Sequence, residues 1–156
     1  MMTRMRDLLA LFTLCAGISA TAQVPTKCLE IESILVDACN PSATCPGSSE
    51  GQNEMVRFRV GPASIALTNL EADWPNGSWR GLAQNATTAS ITAQLNASIA
   101  SCGLLIEPPQ GIIPAGAQVL LITSTDMCVA GNSFIALADT LHIIFRKFII
   151  SDYVLF

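Results

Sequence analysis

The residues best equipped for chemistry in this chain are cysteines, one histidine and scattered carboxylates. The sequence holds 6 cysteines and 1 histidine. Cys15 lies in an apolar N-terminal run, and Cys28, Cys39, Cys45, Cys102 and Cys128 follow it. In an oxidising compartment such thiols pair where geometry allows. Cys102 stands just after a predicted helix and Cys128 in the loop after a strand ending near Thr123, so the expected bridge is Cys102–Cys128. Cys39 and Cys45 flank a short loop and are expected to close a small ring, with Cys28 left over. Pairing of Cys28 with Cys39, leaving Cys45 free, is the open alternative, because connectivity does not follow from spacing. The odd number implies a thiol that is free, joined to another chain, or joined to a segment outside this one. The Cys39–Cys45 spacing is wider than a zinc knuckle and the other cysteines are dispersed, so no metal is expected from them.

His142 falls inside an apolar strand pattern, with Asp139 close in sequence. An imidazole that catalyses needs a partnered reacting group, and no Ser or Cys stands in a nucleophile elbow. His142 therefore reads as a structural residue. Glu30 and Glu32 alternate on a strand and should share one face. Asp37, Glu50 and Glu54 surround the first long loop. Calcium takes about six to eight oxygens, many from loops, which leaves open a site near Asp37 and Glu54, although no EF-hand spacing is present. The same acids supply the alternative of a glycosidase pair, whose separation only a structure gives. The glycines are dispersed and form no phosphate loop. Asn76-Gly-Ser, Asn85-Ala-Thr and Asn96-Ala-Ser are acceptor motifs for N-glycans in a host with that machinery. No catalytic residue, cofactor or metal ligand is assigned.

The elements that must carry these residues are mostly strands. Leu29 to Ala38 reads as a partly alternating strand, and Cys39 to Gln52 as a loop rich in Pro, Ser, Gly and Thr. In Met55 to Val60, Val56 and Phe58 alternate with Arg57 and Arg59, giving one dry face and one wet face. Ile65, Leu67 and Leu70 suggest another strand. A Pro–Asn–Gly turn between Trp74 and Trp79 follows; the two indoles are expected in packing, with a stacking platform as the alternative. Ile91, Leu95 and Ile99 recur at helical spacing within Thr87 to Ser101, with Thr87 or Thr88 as cap and Gly103 as stop. Strands are expected again at Leu104–Ile106, Gln118–Thr123 and Leu141–Phe145.

The net charge is −4, and within 23–156 basic residues cluster only as the pairs Arg57/Arg59 and Arg146/Lys147. Nucleic-acid binding needs denser cations and is set aside. Arg4 and Arg6, an apolar run from Leu8 to Ile18 and Ala20-Thr21-Ala22 compose a secretory signal over residues 1–22. That run is shorter than the roughly 20 apolar residues of a membrane span. The expected protein is therefore secreted or at the cell surface, with no transmembrane segment after signal cleavage. One module is expected over 23–145, and 146–156 is atypical for it.

Three phrases carry a resemblance: Cys28-Leu-Glu-Ile-Glu-Ser-Ile-Leu-Val-Asp-Ala-Cys39, Glu50-Gly-Gln-Asn-Glu-Met-Val-Arg-Phe-Arg-Val-Gly61 and Ile113-Pro-Ala-Gly-Ala-Gln-Val-Leu-Leu-Ile-Thr-Ser124. Together they resemble the N-terminal module of large secreted Bacteroidetes-type proteins associated with gliding motility and type IX secretion. They are also similar to bacterial lamin-tail-like domains. The resemblance covers most of residues 28–145. It implies a mostly β fold: an antiparallel immunoglobulin-like β-sandwich, with the helix inserted. It further implies a non-enzymatic adhesin-like or matrix role, with an unknown protein or glycan ligand at the cell surface. An extracellular hydrolase or carbohydrate-active enzyme using acidic residues is the alternative. The apolar end from Arg146 to Phe156 departs from the module, as a truncation before a sorting domain would, which would leave the chain in the periplasm.

Overall fold

A computed structural model describes residues 29–36, 44–72 and 81–147. The signal segment, Cys28, Asp37, Cys39, the Trp74–Trp79 turn and residues 148–156 lie outside the described residues. The strands are β1 (Leu29–Leu35), β2 (Met55–Val60), β3 (Ile65–Ala66), β4 (Leu82–Ala83), β5 (Leu104–Ile106), β6 (Ile112–Ile113), β7 (Gln118–Ile122) and β8 (Thr140–Arg146). One helix, α1 (Ala86–Asn96), stands between β4 and β5. β8 runs one residue past the expected module end at 145.

The fold is mostly strand. A six-stranded sheet has the order β1-β2-β7-β8-β4, with β5 also paired to β8, and β3 and β6 form a separate two-stranded ribbon. The sheet is mixed, which corrects the antiparallel expectation: β8 runs parallel to both β7 and β5. Two parallel neighbours need a crossover of about a dozen residues or more, and residues 123–139 between β7 and β8 provide one. Alternation assigns strands but says nothing of their order, so this pairing was hidden in the pattern.

Each face of the sheet has its own core. On one face, Met55, Leu120, Ile122, Leu141, Ile143 and Phe145 pack against Ile91 and Leu95 of α1. On the other, Val56, Phe58, Val60, Val119, Leu121 and Ile144 pack beneath Ile65 and Ile113 of the ribbon. The expected inward turn of Val56 and Phe58 thus holds, and Met55 is buried on the opposite side. Gly116 makes the turn into β7 possible. Its φ of 71° suits a residue without Cβ, while Ala117 N–H donates to Pro114 O at 3.3 Å and Gly116 N–H to Gly61 O at 2.9 Å.

The helix starts earlier and ends sooner than its apolar spacing predicts. Asn85 is the N-cap, with its side-chain oxygen accepting from Thr87 N at 2.9 Å and Thr88 N at 3.2 Å. In return, Asn85 N–H donates to the Thr88 hydroxyl oxygen at 2.9 Å, closing a capping box. At the other end Asn96 turns its amide onto β5, donating to Leu105 O and accepting from Leu105 N, both at 2.8 Å. That commits the Asn96 side chain to the folded structure. Gly103 is not the helix stop. Its N–H donates to Leu137 O at 2.9 Å, and an added Cβ there would collide with the Leu137 backbone.

Candidate binding surface

β1 carries a contradiction between sequence and position. Ile34-Leu35-Val36 is a consecutive apolar run, the pattern of a strand buried on both faces. Yet among the described residues β1 pairs with β2 alone, at the sheet's edge. Ile31 is 62% exposed, Ile34 54%, Leu35 47% and Val36 59%. An edge strand offers unpaired N–H and C=O groups to another chain.

The strand is also locally broken. Its register with β2 slips between Ile31 and Ser33, placing Glu32 as the extra residue of a β-bulge. Glu32 shares the face of Arg57 and Arg59 with Glu30, which stands opposite Arg59, and the bulge brings Ser33 to that face as well. The Glu32 carboxylate sits 2.8 Å from Arg57 Nε and accepts from Arg59 Nε at 3.1 Å. Arg57 also donates through its terminal nitrogen to Gln118 Oε1. Both arginines keep partial contact with solvent, so these pairs contribute at most about 1 kcal/mol each. Their effect is to neutralise the middle of β1.

Two apolar hollows flank this strand, one on each face of the sheet. The first, about 420 Å³, lies between Leu29, Ile31, Ile34, Phe58 and Leu70, with Glu71 at its rim. The second, about 380 Å³, lies between Ser33, Leu35, Met55, Arg57, Phe134 and Ile135. Phe134 and Ile135 belong to the β7–β8 crossover, so the parallel pairing is what builds the second hollow.

A third, more open hollow of about 410 Å³ lies where β2 ends and β7 and β8 begin. Arg59, Gln118, Asp139, Thr140 and His142 line it, beside the Pro114–Ala117 turn. His142 is 9% exposed, and its buried Nδ1 has no hydrogen-bond partner. Loss of hydration holds its pKa below the ordinary 6.5, because the charged imidazolium gives up more water than the neutral ring. As pH falls below 6.5 the unfolded chain takes up a proton that the folded chain refuses, so stability drops. Urea denaturation is expected to show a larger loss between about pH 7.5 and pH 5.5 for the native sequence than for His142→Leu. Equal losses would assign the pH dependence to carboxylates instead.

The disulfide expectation requires correction. Cys128 is bonded to Cys45, with Cα atoms 5.9 Å apart, and neither Cys102–Cys128 nor Cys39–Cys45 forms. Cys102 is free and exposed, its thiol directed at Ala138 O at 3.4 Å. The segment after α1 is engaged with residues 134–139 instead, through Ala100 N–H to Ile135 O at 3.2 Å and Gly103 N–H to Leu137 O at 2.9 Å. Cys102 therefore stands away from the 124–132 loop that holds Cys128.

What brings Cys45 to Cys128 is Asn53, 2% exposed. Its Nδ2 donates to Ser48 Oγ and Ser49 O, both at 2.9 Å. Its Oδ1 accepts from Cys128 N at 2.9 Å and Asn132 Nδ2 at 3.0 Å. One side chain thus ties the loop before β2 to the loop after β7. The sequence reading missed it; an asparagine directly before a regular strand and after a Ser-Ser pair was the available signal.

Of the acidic candidates, Glu32 is spent on the arginines and Asp37 lies outside the described residues, so the Glu54–Asp37 separation is not described. Among the described residues no three His, Cys, Asp or Glu side chains gather as a metal site. Among them, too, no helix is long and apolar enough to cross a membrane. In comparisons with known proteins, the chain matches no family model, no curated protein and no solved structure.

Proposed function

We propose that the chain is a non-enzymatic extracellular module that binds through the β1 edge. The single observation carrying this reading is an apolar edge strand, more than half exposed at Ile31, Ile34 and Val36, with an apolar hollow on either side. Water-exposed apolar surface of this kind marks interaction sites in soluble proteins. The Cys45–Cys128 bond is in keeping with export to an oxidising compartment, as is the signal-like stretch over 1–22. We read the architecture as a variant of the lamin-tail-like, immunoglobulin-like sandwich, in which the β3–β6 ribbon is the second layer. The parallel pairings of β8 and the α1 layer are departures from that plan. The protein would then serve as an adhesive or matrix part of a secreted or surface assembly.

Binding to an array of glycans, peptides and intact cells tests this. Saturable binding is expected, weakened at least tenfold by Ile31→Lys with Ile34→Lys, since each buried aliphatic side chain is worth about 1.5–3 kcal/mol. Polysaccharide turnover abolished by Glu54→Gln would overturn the reading in favour of a hydrolase.

A further inference from the structure

We propose that the open hollow where β2 ends and β7 and β8 begin is a second binding site, separate from the β1 edge, and that it takes a neutral sugar residue. The hollow exists because two parallel strands part there. The β7–β8 ladder starts at Val119 opposite His142. Before that rung, Thr140 and Leu141 pair with β5 on the far side of β8, while Gln118 pairs with Arg59 of β2. Between the diverging ends lies the space of about 410 Å³. Side chains from both faces of the sheet meet in it. By alternation along their strands, Arg59 and Gln118 belong to the face that carries α1, and His142 to the face of the β3–β6 ribbon.

The polar groups around this space are not used up by the fold. Arg59 is held by Glu32 through Nε, yet its side chain is 48% exposed. Gln118 spends Oε1 on Arg57, which leaves its amide nitrogen as a donor. Asp139 and Thr140 are exposed, and neither side chain makes a hydrogen bond or ion pair among the described residues. His142 Nδ1 is buried without a partner, so Nε2 is the nitrogen the ring can offer to the hollow. A buried lone pair left unpaired is tolerated better than a buried N–H left unpaired. The proton of the neutral ring therefore belongs on Nε2, and the ring is a donor.

These groups select a chemistry. Arg59, Gln118 and His142 donate, Asp139 accepts, and Thr140 does both. Glu30 and Glu32 stand against Arg57 and Arg59, two acids to two bases, and the unpaired Asp139 carboxylate repels an anion. A neutral ligand fits that balance. Five polar groups around one small space call for several hydroxyls, each able to donate and accept at once. A peptide unit brings one donor and one acceptor and would leave most of the five idle. Pro114, Ala115 and Ala117 supply an apolar stretch of wall, which suits the C–H face of a pyranose.

The experiment uses the full chain, with the methyl pyranosides of glucose, mannose and galactose as probes. The chain has 1 histidine, so one imidazole ring gives one set of NMR signals. Titration is followed on that ring and on the backbone amides of residues 115–118 and 139–142. The expected result is saturable shifts at these positions with at least one glycoside. The Kd should be roughly millimolar, as suits a ligand of about a dozen heavy atoms on an open site. Asp139→Ala should weaken binding roughly tenfold or more, through loss of a hydrogen bond to a charged group, and Thr140→Val roughly two- to fivefold. Both positions are exposed, so the urea midpoints of these variants should match that of the native sequence. Ile34→Lys on β1 should bind the glycoside as the native sequence does. No shift with any of the three glycosides overturns the proposal, as does native affinity in Asp139→Ala. Shifts confined to β1, or lost in Ile34→Lys, would place the sugar at the edge and overturn the separate site. Tighter binding of acetate or of N-acetylalanine methylamide than of any glycoside would give the hollow to an anion or a peptide.

Discussion

Leu95→Ala is expected to destabilise the protein by about 2–5 kcal/mol, a large-to-small change in a filled core. Leu95 is 0% exposed and sits between α1 and the sheet, among Leu105, Leu141, Ile143 and Phe145. Removing its isobutyl group leaves a void that the sheet, tied by its ladders, closes only in part. The buried face of α1 is completed by Thr88, Ile91 and Thr92, so Ile91 is the second costliest position. Gln94 is exposed, with one hydrogen bond to Ser90 Oγ at 3.2 Å, and its alanine variant should stay within about 0.5 kcal/mol of the native sequence. On β2, Phe58 is 4% exposed, and Phe58→Ala should lose about 3–5 kcal/mol. Arg57→Ala gives up surface contacts and should lose about 1 kcal/mol or less. Urea denaturation of the four variants checks this. A Gln94→Ala loss equal to that of Leu95→Ala would mean that the helix packs through another face.

The local elements were legible because each has its own period. Met55 to Val60 announces a strand through strict alternation, and Ile91, Leu95 and Ile99 announce a helix through spacing near four. The end of that helix was not legible, since Ile99 continues the apolar spacing past Asn96. What stops α1 is the Asn96 amide finding the Leu105 backbone, a contact made only once β5 is in place. The position of β1 was hidden for a related reason. Its apolar run predicts burial, and only the sheet order reveals that nothing described lies beyond it. Glu30 and Glu32 do share one face, that of Arg57 and Arg59, as alternation suggests, but the bulge that brings Ser33 onto the same face leaves no mark in periodicity. The candidate surface is therefore a product of strand order and register, the two properties that sequence pattern carries least.

Replacing both Cys45 and Cys128 with serine is expected to lower stability by about 4–5 kcal/mol, the chain-entropy value for a long closed loop. The bridge spans a sequence separation of 83, so it restrains most of the described chain when unfolded. A domain of this kind is stable by about 5–15 kcal/mol, which makes the loss roughly a quarter of the total or more. The native structure should nevertheless persist, because Asn53 holds the same two loops by four hydrogen bonds. Asn53→Ala in the bridged protein should lose about 2–4 kcal/mol, since it strands the buried Cys128 N–H and Ser49 O and opens a small void. With the bridge removed, the two loops are free to separate and hydrate those groups, so Asn53→Ala should then lose less. A double-mutant cycle read by denaturation is expected to give sub-additive losses. Strict additivity would mean that hub and bridge act on separate events. Non-reducing peptide mapping supplies the companion check. A Cys45–Cys128 linked peptide and native alkylation of Cys102 are expected, and a Cys102–Cys128 peptide would return the pairing to the one that local spacing suggests.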